Sequence, residues 1–126
     1  MRKLLLPLTL CCAVLMTACW EKDIGRSFYS SGKVRTEATV RNGLLDGPAT
    51  MFYESSAKMS EANYRAGILN GPAVAYYESG KKKSIATYHD GYLDGISAQW
   101  REDGVKIAEV LFREGRILIN SSPAVK

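Results

Sequence analysis

Side chains able to carry covalent or metal chemistry are scarce in this sequence of 126 residues. Its three cysteines are Cys11 and Cys12, within an apolar N-terminal run, and Cys19, directly after it. The single histidine, His89, has no second histidine with which to build a common zinc site or a hydrolytic triad. No serine lies in a Gly-x-Ser-x-Gly context. We therefore predict a protein that is not an enzyme and that uses no cofactor and no metal.

The N-terminal segment has the layout of a secretory signal. Arg2 and Lys3 precede residues 4–18, a near-continuous apolar run of 15 residues. This run is shorter than the roughly 20 apolar residues that span a membrane as a helix. Without Arg2 and Lys3 the chain has 15 basic and 13 acidic residues, so its net charge falls from +4 to +2. A charge this small does not favour a nucleic-acid partner.

Residues 15–19, Leu-Met-Thr-Ala-Cys, resemble the lipobox of bacterial lipoproteins, although Met16 stands where Leu is most frequent. The resemblance implies a signal peptide over residues 1–18 and a mature chain that begins at Cys19, attached through its sulfur to a lipid with acyl chains such as palmitate. The alternative is ordinary cleavage after residue 18, which the long side chain of Met16 disfavours. Trp20 is not the Asp that resembles an inner-membrane retention signal, which favours the outer membrane of a diderm cell.

The rest of the sequence repeats with a period of 24 residues. Each copy starts with an aromatic residue, usually followed by Tyr, and glycines recur at the sixteenth and twentieth positions. The copies are residues 28–51, 52–75, 76–99 and 100–120, their first residues are Phe28, Phe52, Tyr76 and Trp100, and the following tyrosines are Tyr29, Tyr53 and Tyr77.

Each glycine position separates β-prone stretches, which predicts β-hairpins. The Ser-Gly-Lys triplets mark one turn, and we interpret every Asn-Gly and Asp-Gly pair as the other; these pairs are at 42–43, 46–47, 70–71, 90–91 and 94–95. Between the turns, one face carries small and aromatic residues and the other is largely polar. In the fourth copy, Ile107 and Leu111 lie on the polar side, as in an end cap.

The unit is similar to the bacterial variant of the MORN repeat, approximately aromatic-Tyr-x-x-Gly-Lys, a strand ending in Tyr, and Asn-Gly-x-x-Asp-Gly. Departures are Ser56-Ala57 for Gly-Lys, Arg101 for Tyr, and the second glycine missing after Gly115. The resemblance implies an all-β fold, an antiparallel meander of β-hairpin repeats in one elongated, curved sheet over residues 28–120. Residues 19–27 are then a tether and residues 121–126 a flexible tail.

Three features of the sequence have a structural and a functional interpretation. His89 shares the repeat position of three arginines, which favours a solvated strand residue. Asp46, Asn70 and Asp94 could align oxygen ligands for calcium, but they lack a dense carboxylate loop, and turn chemistry accounts for them. Lysines 81–83 could touch anionic lipid headgroups beside a membrane, although neighbouring glutamates favour an ordinary soluble face.

The aromatic positions are the candidate partner-binding residues. Tyr29, Tyr53, Tyr77 and Trp100 either stack from copy to copy across the strands or present an exposed surface to a protein. Both hold if successive aromatic positions face opposite sides of the sheet.

Together these features predict a lipid-anchored, non-enzymatic binding module of the bacterial envelope that holds a protein partner on its repeat sheet. The alternative is an antitoxin or immunity-like protein that neutralises a toxin, because bacterial proteins with this repeat variant are often described as antitoxins. A signal peptide argues against a cytosolic toxin. A third class is structural, in which the sheet contacts peptidoglycan or phospholipid.

Overall fold

The computed structural model describes residues 22–121, which form one antiparallel sheet of ten strands. The strands are β1 Asp23–Phe28, β2 Val34–Arg41, β3 Leu44–Phe52, β4 Lys58–Arg65, β5 Ile68–Tyr76, β6 Lys82–His89, β7 Tyr92–Leu93, β8 Gly95–Trp100, β9 Lys106–Arg113 and β10 Arg116–Ser121. Among these described residues there is no helix long and apolar enough to cross a membrane.

The sheet is a meander in which each strand lies beside its neighbours in sequence. The short strand β7 pairs with the end of β6, and β8 then pairs with the rest of β6. Strands β1 and β10 are the two open edges, so the sheet does not close on itself. This confirms the predicted all-β fold of hairpin repeats in a single antiparallel sheet.

The sheet begins earlier than the repeat boundaries predict. Residues 23–28 form β1, which pairs with β2 from Asp23 opposite Val40 to Phe28 opposite Val34. The part of the predicted tether from Asp23 onward therefore lies in the sheet, because a strand here satisfies backbone groups of β2 that would otherwise form an edge. Cys19, the predicted signal segment and most of the predicted tail lie outside the described residues.

Two kinds of tight turn alternate along the chain. At the first, two successive residues have positive φ, as in type I′ hairpins; the pairs are Asn42-Gly43, Ala66-Gly67, Asp90-Gly91 and Glu114-Gly115. At the second, the N–H of the Tyr or Arg at the second repeat position donates to the carbonyl oxygen four residues later, at 2.8–2.9 Å. A single residue in this second turn has positive φ, and it is Gly32, Ser56, Gly80 or Gly104.

The pairs Asp46-Gly47, Asn70-Gly71 and Asp94-Gly95 are not hairpin turns, which corrects the interpretation from sequence. Residues 46–48 of β3 lie opposite the single residue Thr39 of β2, because the register shifts between Ala38↔Ala49 and Val40↔Leu45. Gly47 has φ 122° at this bulge. A Cβ there would lie 3.2 Å from Cβ of Thr39, so a side chain would crowd the neighbouring strand.

The fold has almost no core, since the sheet is a single layer. Among the described residues only Ala98, at 2% exposure, and Thr39, at 6%, are buried. Domains ordinarily bury one layer against another. Here cross-strand neighbours and the backbone hydrogen bonds between strands have to supply the stability, and both faces remain open to a partner.

Candidate functional site

The three repeat tyrosines predicted as partner-binding residues are half-buried and join adjacent repeats. The hydroxyl of Tyr29 donates to the carbonyl oxygen of Phe52 at 2.7 Å, and that of Tyr53 to the carbonyl oxygen of Tyr76 at 2.9 Å. Tyr77 makes the same bond to Trp100 at 2.9 Å. Each hydroxyl thus spans 23 residues of sequence to the start of the next copy, so the tyrosines have a structural contact wherever they also meet a partner.

Lysines in the second kind of turn make a parallel connection. Nζ of Lys33 donates to the carbonyl oxygen of Glu54 at 2.8 Å, and Nζ of Lys81 donates to that of Glu102 at 2.9 Å. Ala57 stands at the equivalent position of the second copy and has no ammonium group for this bond. The turns of copies one and two, and of copies three and four, are therefore joined more closely than the middle pair.

The first-position aromatic residues form a second row, on the face opposite the small residues. Phe52, Tyr76 and Trp100 are the last residues of β3, β5 and β8, and the register with the following strand shifts at each of them. This shift pairs Phe52 with Lys58, Tyr76 with Lys82, and Trp100 with Lys106. In the first copy Phe28 pairs with Val34. We call these residues the aromatic–lysine row: Phe28, Val34, Phe52, Lys58, Tyr76, Lys82, Trp100 and Lys106.

Trp100 is the aromatic residue of this row that has two lysine side chains over its ring. Nζ of Lys82 and Nζ of Lys106 each lie 5.7 Å from the centroid of its ring, within cation–π range. Lys81, Lys82, Trp100 and Gly104 line a shallow cleft of about 320 Å³. The indole N–H of Trp100 donates to no acceptor among residues 22–121, so it is available to a ligand as a hydrogen-bond donor.

Glutamates neutralise some lysines of the row and not others. Nζ of Lys58 donates to Glu61 at 2.8 Å, and Nζ of Lys106 donates to Glu109. Ile85 occupies the equivalent position in the third copy, and Lys82 forms no ion pair within the described part of the chain. Lys83 lies over the ring of Tyr77 at 5.6 Å. Lys82 is therefore the least neutralised lysine of the row.

Glu61 is a shared acceptor at the centre of the row, because the hydroxyl of Tyr76 also donates to it. Hydrogen bonds from Lys58 and then from Tyr76 hold the pKa of the Glu61 carboxyl below its usual value. The same bond to Glu61 raises the pKa of the Tyr76 hydroxyl. Tyr76 is thus held as a neutral donor beside an ionised carboxylate.

The N-terminal end of the row has a comparable cleft of about 420 Å³, lined by Lys33, Val34, Glu37 and Phe52 with two turn residues. The carboxylate of Glu37 accepts a hydrogen bond from Arg26 at 2.7 Å. Phe28 is 57% exposed at the open edge. The row therefore continues across the first three copies, with weaker positive charge than at Trp100.

His89 lies at the ends of the strands away from the aromatic–lysine row, and its side chain is 68% exposed. Its Nδ1 lies 3.6 Å from the carboxylate of Asp90, and both line a shallow cleft with Tyr92, Asp94 and Glu114. Within residues 22–121 no three His, Cys, Asp or Glu side chains are placed to hold a metal ion.

Two residues of the position that was weighed as a calcium site and assigned to turn chemistry have side-chain partners. The carboxylate of Asp46 lies 3.7 Å from Arg41, and the amide of Asn70 donates to Asp90 at 2.9 Å. These contacts and the bulges account for the polar residues that recur at this position.

Sequence reasoning singled out Trp100 and the lysines separately and missed that they form one row. The signal was present, since Lys58, Lys82 and Lys106 recur at the seventh position of the period. Simple alternation places that position on the other face from the first-position aromatic. The register shift at the end of each strand brings the two together.

The fold and the row define a class of single-layer β-repeat proteins with open faces. Within the chain, residues 69–90 match the family described as the MORN repeat variant. These residues run from β5 through β6, so they cover one period of the array, and the other periods share its strand pairing. The comparisons with curated proteins and with solved structures each gave no match.

Proposed function

We propose that this protein is a lipid-anchored, non-enzymatic binding module of a bacterial envelope, which holds a protein partner on its repeat sheet. The observation that carries the proposal is the aromatic–lysine row on a sheet with no covering layer. Aromatic residues with apolar bodies and polar tips are enriched where proteins bind one another. In this row they remain at the surface beside lysines.

In this proposal the aromatic residues at the first and second repeat positions have different roles. The hydroxyls of Tyr29, Tyr53 and Tyr77 already bond to the next repeat, so these side chains hold the sheet that presents the row. Trp100 is the main contact, because a half-buried tryptophan in a cleft supplies the area and the donor of a binding hot spot. Phe28, at the edge, supplies a second contact.

The anchor places the row near a membrane. The sheet starts at Asp23, four residues after Cys19, and four extended residues reach about 14 Å at most. With Cys19 lipidated, β1 would be the strand nearest the bilayer. A protein that binds the row would then also be located in the envelope.

The first experiment is the mass of the N-terminal peptide from the membrane fraction of cells that express the full chain, with Cys19→Ser as the control. We expect an acylated peptide that begins at Cys19, and a Cys19→Ser chain without lipid. An unmodified chain that starts at Met1 in the cytosol would contradict the envelope assignment and make the antitoxin role the better explanation.

The second experiment tests the binding surface in the same cells. A photo-crosslinking amino acid replaces Phe28 on the row or, as the matched control, Tyr92 at the opposite ends of the strands; both side chains are more than half exposed. We expect a discrete crosslinked envelope protein from position 28, lost with Cys19→Ser, and none from position 92. Equal products from both positions would rule out the row as the binding surface.

A further inference from the structure

The spacing of the aromatic–lysine row restricts the shape of what can bind along it. Its aromatic residues lie on β1, β3, β5 and β8, which are two strands apart in the sheet. Neighbouring strands are about 4.8 Å apart, so successive aromatic positions are spaced by about 9.6 Å across the sheet. A ligand that meets every copy in the same way needs a repeat of that length.

Among regular peptide conformations, polyproline II fits this spacing best. Three residues at about 3.1 Å each give about 9.3 Å per turn, a difference of about 0.3 Å from the row. Two turns of α-helix span about 10.8 Å, which falls out of step by more than 1 Å per repeat. A β-strand repeats every 6.6–6.8 Å or so and meets the row only irregularly.

Chemistry along the row adds two requirements. Aromatic rings with an indole donor are surfaces on which proline rings and the free carbonyls of a polyproline II chain dock. Lys82, unlike Lys58 and Lys106, has no glutamate, so a carboxylate on the ligand would pair with it beside Trp100.

We propose that the partner segment is an acidic, proline-rich peptide in the polyproline II conformation, which runs across the strands along the aromatic–lysine row with an acidic residue at Lys82. This inference rests on the proposed function and specifies its partner. About ten residues of such a peptide cover the four copies. Because the chain is pre-extended, it loses little conformational entropy on binding a shallow surface.

The test uses the full-chain protein and three fluorescein-labelled probes of twelve residues, (Pro-Pro-Asp)₄, (Gly-Gly-Asp)₄ and (Pro-Pro-Lys)₄, with binding followed by fluorescence anisotropy. We expect (Pro-Pro-Asp)₄ to bind at least about tenfold more tightly than (Gly-Gly-Asp)₄, because the glycine chain must be ordered first. We expect (Pro-Pro-Lys)₄ not to bind, because its charge is reversed beside Lys82.

Variants locate the site. Lys82→Ala removes an exposed cation, and we expect it to weaken (Pro-Pro-Asp)₄ binding about fivefold. Arg65→Ala removes the same charge from an exposed side chain at the opposite ends of the strands, and we expect no change. Trp100→Leu should also weaken binding, and an unchanged circular dichroism spectrum shows that the sheet is intact.

Each remaining outcome overturns the inference. Equal binding of the proline and glycine probes would mean charge attraction without conformational selection. Binding unaffected by Lys82→Ala would place the peptide elsewhere. Lys82-dependent binding to anionic phosphatidylglycerol vesicles, with no peptide binding, would make a lipid surface the occupant. If the position-28 crosslink is obtained while (Pro-Pro-Asp)₄ fails to bind, the peptide class is wrong and the proposed function stands; if both fail, both fall.

Discussion

At the scale of single residues, the tyrosine hydroxyls are the most regular contacts between copies. Three of them donate to the same backbone acceptor of the following repeat. A net hydrogen bond of this kind contributes about 1 kcal/mol, and in a sheet with no second layer few other contacts can replace it. This makes the second-position Tyr of the period a structural requirement even where no partner is bound.

Tyr53→Phe tests this contact at the centre of the array. We expect the free energy of unfolding to fall by about 1 kcal/mol, because the ring is kept and only the hydroxyl is lost. Urea unfolding followed by circular dichroism measures the change. Tyr64→Phe is the matched control, since Tyr64 is half-buried in β4 and its hydroxyl makes no bond within the described residues. An equal loss in both variants would contradict the contact.

Ser56 is the one residue with a side chain in the second kind of turn that has positive φ, at 73°. The equivalent residues Gly32, Gly80 and Gly104 are glycines. Left-handed backbone costs an L-residue about 1–2 kcal/mol, and the added flexibility of glycine offsets part of that. We expect Ser56→Gly to raise the free energy of unfolding by about 0.5–1 kcal/mol in urea. Ser55→Gly, one residue earlier and without positive φ, should not stabilise the protein.

The hydrogen bonds that Glu61 accepts from Lys58 and Tyr76 predict that the stability of the fold depends on pH. Because its folded pKa is lowered, Glu61 contributes stability that is fully present above its ordinary pKa of 4.5 and is lost as the pH falls through the lowered value. The raised pKa of Tyr76 has the opposite sign, and its contribution is lost only as the pH rises through that value, above 10.0. Both effects are small, since the Glu61 side chain is 38% exposed.

We therefore expect the urea midpoint of Tyr76→Phe to lie below that of the wild type at pH 7, and the gap to narrow as the pH falls below 4.5. The narrowing follows because protonation of Glu61 weakens the bond that Tyr76→Phe removes. Tyr64→Phe measured at the same pH values is the control. A gap that is constant with pH would show that the hydroxyl of Tyr76 stabilises the sheet independently of Glu61 ionisation.

At the scale of elements, a glycine sets the bulge in β3, in β5 and at the start of β8. Gly47, Gly71 and Gly95 have φ of 109–122°, and the residue opposite each is Thr39, Asn63 or Thr87. In the fourth copy this glycine is absent, and β10 has a smaller irregularity, with Leu118 between Ile117↔Phe112 and Ile119↔Leu111. The size of the bulge thus follows the residue type at position twenty.

Gly95→Ala should distort the β6–β8 junction. Its Cβ would lie 3.2 Å from Cβ of Thr87, and φ of 118° is strained for any L-residue. We expect a loss of about 1–3 kcal/mol in thermal or urea unfolding. Gly25→Ala in β1 is the control, because its Cβ would make an ordinary contact at 3.5 Å with Val40 and its φ is not positive. Similar losses at both positions would contradict the bulge as the cause of the destabilisation.

At the scale of the whole molecule, the open edge at β10 exposes three consecutive apolar side chains. Ile117, Leu118 and Ile119 are 61%, 52% and 60% exposed in sequence order along it. Ile107, expected in an end cap, is also exposed. A shallow cleft beside this edge is lined by Ile96, Leu111 and Ile119 together with Glu109. The fourth copy therefore ends the array without covering it.

Leu118→Lys should reduce self-association of the full-chain protein, because a charged side chain blocks strand pairing at an unprotected edge. Sedimentation velocity over a range of concentrations measures the effect. Ile68→Lys is the matched control, since Ile68 is 51% exposed but lies on β5, within the sheet. Equal self-association of both variants and the wild type would show that the edge at β10 is not where the molecules associate.

How much of this could be read from the sequence depends on the range of the interaction. Glycines with positive φ in the I′ turns act locally, so the hairpins at Asn42-Gly43 and Asp90-Gly91 were predictable from the sequence of the turns themselves. Asp46-Gly47 has the same residue types but sits in a bulge, because its conformation depends on Thr39 in the next strand. Local chemistry could not separate the two.

The sequence by itself determined the all-β repeat fold, since turn residues and alternation recur in every copy and neighbouring copies impose the same hairpin on each other. Only the tertiary structure decided which side chains share a row. The register shifts that pair Tyr76 with Lys82 and Trp100 with Lys106 rotate a lysine to the aromatic face. The hydroxyl of Tyr77 depends on register as well, because β6 and β8 must pair before the carbonyl oxygen of Trp100, 23 residues along the chain, comes within its reach.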